Sequence, residues 1–307
     1  MPRDNFLGVF GHVAVDVICS VNKFPRPNTC EAIVDRRTEF GGTAGNMAVF
    51  AAALGVPTAL ASLVGDDFPA DYRAFLESKR IDLTDLKTIK GMRTPSVIMV
   101  SDRSHNQVGF VDQGAILAQN GLPLQKHTID NSKVIHVGTG RPKYALQVCR
   151  RARKGGKLVA FDPAQEIHYV YDARSFSSVI READTFFCNE SELAVALKYL
   201  RFRRAEDLLD IVDMLILTAG KRGSRIMTSG GEDIRVPPCK AKKVVDTTGA
   251  GDAYRAGFYA SMRKKMDLAD CGAVASAAAS FAVESFGGQT NLPSWTEVCK
   301  RAFVGSR

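Results

Sequence analysis

The chain has 307 residues, 45% hydrophobic and 24% charged, the balance of an ordinary globular protein long enough for a core that needs no staples. No apolar run approaches the roughly 18–20 residues of a membrane span, and the Met-Pro-Arg-Asp-Asn start lacks the apolar core of a signal peptide. The formal net charge of +8 raises nucleic acid as a partner, but the basic residues fall in short separate runs at 150–154, 201–204, 240–243 and 263–265, which read as solvated surface and helix ends.

In chain order, a strand over 7–11 opens the pattern. A strand pair at 13–21 and 31–39 follows, with exposed polar positions and no helix between its members. The next segment, 43–54, is helical; Gly55 can take the left-handed position after it and Pro57 stops any continuation. A strand at 58–63 and a helix at 67–79 lead to a second strand pair, 95–101 with 107–113. Strands at 134–137, 158–161, 185–188 and 214–217 then alternate with helices at 142–154, 190–200 and 204–211. The last third holds a helix after Gly251, an alanine-rich one at 268–284 and a terminal one at 294–303. Several strands are almost continuously apolar, as when helices cover both faces of a parallel sheet. The pattern predicts one α/β domain over 1–307, doubly wound around a mostly parallel sheet. The insertions at about 13–39 and 95–113 predict a small β-sheet standing off it as a lid, the alternative being a decorated edge of the main sheet.

Seven cysteines are scattered, none as Cys-x-x-Cys, and the five histidines are dispersed. That argues for a reducing, cytoplasmic setting and against a zinc or disulfide framework. Two nucleotide motifs fail. Neither Gly156-Lys157 nor Gly220-Lys221 completes a P-loop, and Gly138-Thr-Gly140 lacks the third glycine of a dinucleotide fingerprint, having Lys143 there. A glycine cluster, Gly41-Gly-Thr-Ala-Gly-Asn46, opens the first helix; alone it is either a tight packing turn or a ligand site.

The most telling segment is Asp246-Thr-Thr-Gly-Ala-Gly-Asp252. A glycine-rich turn at a helix start aims N–H groups at an anion. A carboxylate beside it repels a resting phosphate, unless it takes a proton from a hydroxyl that attacks the phosphorus. A helix cap explains one Asp, but not two acids flanking this turn.

With Gly41-Gly42…Gly45-Asn46, Asn189-Glu-Ser-Glu192, Leu217-Thr-Ala-Gly220-Lys-Arg-Gly223 and the 246–252 segment in this order, the chain resembles the ribokinase (phosphofructokinase-B) family of carbohydrate and nucleoside kinases over essentially its full length. The resemblance implies ATP as phosphate donor, Mg²⁺, a small nucleoside or sugar as acceptor, and often a monovalent cation such as K⁺ near Asp246 and the Gly287-Gly288 loop. It implies that Asp252 is the catalytic base and that the backbone of Gly249, Ala250 and Gly251 is the anion hole. Asp16 then grips sugar hydroxyls with Gly41, Gly42 and Asn46; read cold, Asp16 is an exposed lid-strand acid. Asn189 and Glu192 organise Mg²⁺ through water, although the same spacing makes a helix cap. Thr218, Gly220 and Gly223 receive the nucleotide, and Ala273, Ala277 and Ser280 line an adenine slot, or simply a tightly packed helix.

Asp162-Pro-Ala-Gln165 follows a strand end, and this form resembles the nucleoside-kinase branch, with Gln165 reaching a base and Phe110 stacking on it. The expected reaction is transfer of the γ-phosphoryl of ATP to a nucleoside 5′-hydroxyl. The rivals are a sugar kinase on the same scaffold and a non-catalytic binder of nucleotides or nucleic acid. The lid strands also offer edges that a homodimer can pair.

Overall fold

A computed structural model describes residues 4–104 and 106–303. Among the described residues thirteen strands form two sheets. The large one runs β13 (Asp233–Val236), β12 (Ser224–Thr228), β11 (Met214–Thr218), β10 (Thr185–Asn189), β9 (Leu158–Phe161), β8 (Ser132–Val137), β1 (Asn5–Phe10), β4 (Thr58–Gly65) and β5 (Leu86–Ile89). Every neighbouring pair from β5 to β11 is parallel, and the β12–β13 hairpin adds an antiparallel edge.

The helices divide between the two faces, as the doubly wound pattern requires. Helices α1 (Thr43–Ala53), α2 (Ala70–Ser78), α7 (Ala250–Arg263), α8 (Leu268–Ala282) and α9 (Trp295–Ala302) contribute to one core. The second core holds α4 (Pro142–Lys154), α5 (Ala173–Ile180) and α6 (Glu190–Leu200), with Ile129 of α3 (Lys126–Asp130). Buried Leu7 and Val9 point into the first core and Phe10 into the second, so β1 carries apolar residues on both faces. Small residues bring α7 against α8: a Cβ on Gly257 would lie 2.9 Å from both Ala275 Cα and Ala278 Cβ.

The chain runs from β1 outward to β4 and β5, then returns to β8 on the other side of β1. The winding therefore reverses at β1, and the crevice beyond the carboxyl ends of β1 and β8 is where such sheets receive ligands.

The second sheet has four strands in the order β3 (Ile33–Gly41), β2 (Ala14–Val21), β6 (Ser96–Ser101) and β7 (Gln107–Asp112). It is separate from the large sheet, not a decoration of its edge. Gly55 adopts φ +80° after α1, as its position predicts. The helix expected at 204–211 is instead a single 3₁₀ stretch, Ala205–Asp210. Several elements have no counterpart in the sequence reading: β5, α3, α5, which is started by a capping box between Asp172 and Ser175, and the β12–β13 hairpin.

All seven cysteines are free. In the last turn and a half of α4, Arg150 pairs with Glu182 at 3.0 Å and Arg151 with Asp130 at 2.7 Å, so those cations already have acidic partners. Among the described residues no helix is long and apolar enough to cross a membrane.

Candidate active site

Two helix N-termini meet beyond the crevice. Gly42, at φ +86°, precedes α1, and a Cβ there would lie 2.5 Å from the His12 carbonyl oxygen. That same carbonyl accepts from the amides of Ala44 at 3.1 Å and Gly45 at 3.2 Å. The first turn of α1 is thus closed by backbone. Gly41, the last residue of β3, faces the Asp16 side chain so closely that no Cβ fits between them.

The second N-terminus belongs to α7. Gly249 takes φ +76° as its first flank, against Gly288. Asp246 ties the loop down: Oδ1 accepts from the Thr248 amide at 3.0 Å and Oδ2 from the Gly287 amide at 3.0 Å. The Ala250 amide bonds Thr247 O at 3.2 Å, so one of the three amides expected in the anion hole already has a partner. The helical ladder begins with Ala253 donating to Gly249 at 2.8 Å, which leaves the amides of Gly251 and Asp252 ahead of it.

Asp252 stands partly buried on the first turn of α7 and accepts from Asn46 Nδ2 at 2.9 Å. Its pKa is pushed up to about 7, chiefly by burial; Arg255 and the Asn46 hydrogen bond oppose the rise, and the charges of Asp162 and Asp16 add to it. Asp16 is likewise pushed up to about 7, by burial first and then by Asp246 and Glu39. Asp16 Oδ1 is buried without a hydrogen-bond partner among the described residues. Such an acceptor is costly unless a ligand donates to it.

Beneath Asp252 lies a buried charge cluster. Arg255, one turn along α7, pairs with Asp162 at the end of β9 and sits 5.7 Å from the Phe187 ring centroid. His136 approaches Asp162 at 3.5 Å and bonds Tyr259 at 2.8 Å. Burial works against ionised Asp162, but Arg255 and His136 outweigh it and hold the carboxyl below its ordinary value. Asp162 is therefore committed to Arg255. Gln165 is exposed on the following 3₁₀ turn, while its neighbour Glu166 is buried and accepts from Gln113 at 2.7 Å. Gln113 in turn meets His12 at 3.0 Å, at the roots of β7 and β2.

Asn189 and Thr218 stand side by side at the carboxyl ends of β10 and β11. Asn189 and Glu192 form a reciprocal capping box on α6, at 2.9 and 2.7 Å. Burial and the nearby Asp162 charge raise the Glu192 carboxyl above its ordinary value. Gly220 and Gly223 both have positive φ in the turn after β11, and Gly223 lies against the backbone at Val236 and Pro237. A pocket of about 400 Å³ opens nearby, lined by residues 236–240 with Ala273, Ser276 and Arg301.

Two expected contacts do not form as drawn. Ala277 is fully buried in the core one turn along α8 from Ala273, and the pocket wall on α8 is Ala273 and Ser276. Phe110 pairs with Ile98 and Val17 on the face of the small sheet opposite to Asp16; Val97 and Val111 share Asp16's face. The two-residue period of a strand makes that assignment, and Phe110 was one residue out of phase.

Comparison with known proteins agrees with this geometry. Residues 4–295 match the model described as pfkB family carbohydrate kinase. The chain is 39% identical over 292 residues to the nucleoside kinase of Methanocaldococcus jannaschii, covering 95% of this chain and 94% of that protein. It is 35% identical over 306 residues to the nucleoside kinase of Methanothermobacter thermautotrophicus, covering 98% and 96%. The crystal structure of the M. jannaschii nucleoside kinase, described as an archaeal member of the ribokinase family, superposes with a TM-score of 0.91 over 98% of this chain and 99% of that one. The chain belongs to the pfkB family of carbohydrate kinases.

Proposed function

We propose that this protein is an ATP- and Mg²⁺-dependent nucleoside kinase that phosphorylates the 5′-hydroxyl. The observation that carries the reading is the place of Asp252: a partly buried carboxylate at the open first turn of α7, where burial pushes its pKa up to about 7. A base poised near neutrality suits proton abstraction from an alcohol. The Gly251 amide and the helix end offset charge developing on the transferred phosphoryl group, where positioning and electrostatics supply most of the catalysis. The unpartnered Asp16 Oδ1 accepts from a ribose hydroxyl. The names of the relatives at 39% and 35% identity support a nucleoside over a free sugar.

In this reading the chain is one catalytic unit and the small sheet is its lid, closing to exclude water. Asn189, Thr218, Gly220 and Gly223 receive the nucleotide at the ends of β10 and β11. The residues present fit Mg²⁺: Asp162 and Glu192 are buried carboxylates served by one Arg255, an excess of negative charge that a hydrated divalent cation offsets. Glu192 and Asn189 would hold its water shell, and the ion supplies charge neutralisation on the phosphates. K⁺ beside Asp246 is an activator to titrate in the same assay. Exposed Ile33, Val34, Ile98 and Phe110 support pairing of two copies through the lid, which sedimentation velocity tests.

A phosphorylation screen with ATP and magnesium across inosine, cytidine, adenosine, ribose and fructose tests the substrate. Nucleoside 5′-monophosphate is the expected product; turnover of sugars alone overturns the nucleoside assignment and leaves a sugar kinase.

A further inference from the structure

Behind Asp252 runs a chain of hydrogen bonds whose direction is fixed at one end. Tyr72 Oη lies 2.8 Å from the Gly41 carbonyl oxygen, which can only accept, so the hydroxyl proton is committed there. The Tyr72 oxygen therefore accepts, and Gln289 Nε2 donates to it at 2.6 Å. The same Nε2 donates to Asn46 Oδ1 at 3.0 Å. With its oxygen held by Gln289, Asn46 must present Nδ2 to Asp252, at 2.9 Å. An amide leaves its two ends ambiguous until a network orders them; here a backbone carbonyl orders all three side chains. Tyr72 and Gln289 are buried, Tyr72 keeps its proton because burial raises its pKa well beyond neutrality, and its ring stacks on Phe40 at 4.2 Å.

We infer that Gln289 and Tyr72 are positioning residues of the phosphoryl-transfer reaction: they fix the donor end of the Asn46 amide on Asp252 and so keep the base ready to accept a proton. This rests on the reading of Asp252 as the base. Were Asn46 reversed, its oxygen would face the carboxylate, and only protonated Asp252 could satisfy the contact. With Arg255 from its own helix, a chain of uncharged side chains thus favours the ionised base, against burial and the charges of Asp162 and Asp16. The relay starts at Gly41, the terminal residue of a lid strand, so the position of the lid root and the state of the base are physically linked.

The test is the pH dependence of kcat in Gln289→Met and Tyr72→Phe. Loss of one hydrogen bond to a charged group corresponds to about one pH unit. The acidic limb of kcat is expected to move up by about one unit in Gln289→Met and by less in Tyr72→Phe, with kcat recovering at high pH and the nucleoside KM near wild type. A uniform loss of kcat at every pH, with the limb unmoved, overturns the relay and leaves a packing role. Tyr72→Phe keeps the stacked ring, so it reports even if Gln289→Met fails to fold. Asp252→Asn run in parallel separates the two failures: full activity there removes the base itself, whereas an inactive Asp252→Asn with unmoved limbs removes only the relay.

Discussion

The two glycine-rich turns look alike in sequence and differ in use. Gly41–Asn46 and Asp246–Asp252 each lead into a helix through a positive-φ glycine. In the first, the leading amides of α1 are consumed by the His12 carbonyl, and Gly42 and Gly45 are required because backbone and the Tyr72 hydroxyl occupy their Cβ positions. In the second, the loop is fastened from behind by Asp246, and the amides of Gly251 and Asp252 precede the helical ladder. A glycine signature thus marks close approach; whether the approaching partner is protein or ligand depends on what fills the amides.

The sharpest way to break this contrast is Asp252→Asn. If the α7 end is the reacting one, kcat falls by about 10²–10⁴-fold, while nucleoside binding measured by calorimetry persists. Next in size, Gly42→Ala and Gly251→Ala should fail in different ways. Gly42→Ala places a methyl in a left-handed conformation against backbone, and overpacking of this kind costs about 1–3 kcal/mol, so melting temperature drops. At Gly251 the nearest atom to a new Cβ is Arg255 Nη1 at 2.6 Å, the end of a long side chain. Melting there should stay within a few degrees of wild type while kcat falls roughly tenfold, about 1.4 kcal/mol of transition-state stabilisation. Equal thermal losses would erase the distinction between the turns.

A smaller effect follows from the raised Asp252 pKa. Its folded value, about 7, lies above the unfolded carboxylate value of 3.8, so the folded state binds the proton more tightly. Stability from this group is full below the unfolded value and is lost as pH rises through the folded one. Asp252→Asn, neutral at every pH, should therefore melt higher than wild type at pH 8, by roughly 2–4 °C per kcal/mol. The gap should close towards pH 4. A gap independent of pH would mean that Asp252 is not held against its charge.

Much of this was legible in the sequence because it rests on local rules. The almost continuously apolar β4, β9 and β10, the Gly55–Pro57 stop and the separate small sheet follow from periodicity and turn chemistry. The partners of Asp252 were not legible. Gln289 reaches Asn46 across 243 positions, and Arg255 meets Asp162 across 93, by convergence that no spacing encodes. Buried Glu166 was not legible either: the strand end before it is visible in sequence, but the 3₁₀ turn that turns Glu166 inward and leaves Gln165 exposed is not. Phe110 shows the limit of a strand reading: the strand was correct, and the face depended on a one-residue phase set only by pairing with β6.

A third helix end sharpens the comparison at the smallest scale. The N-terminus of α6 is closed by its own side chains, with Asn189 accepting from the Glu192 amide and Glu192 accepting from the Asn189 amide. Asn189→Ala removes one arm of that box, and losing an Asn cap costs about 1 kcal/mol, a fall of a few degrees in melting temperature. Glu192→Gln keeps hydrogen-bonding capacity but not charge, so it should leave melting nearly unchanged. If Glu192 also steadies a hydrated Mg²⁺, that variant should raise the magnesium concentration needed for half-maximal rate. A variant that changes neither melting nor magnesium demand would leave α6 with a closed end and no ion to serve, and α7 as the one of these three ends open to phosphate.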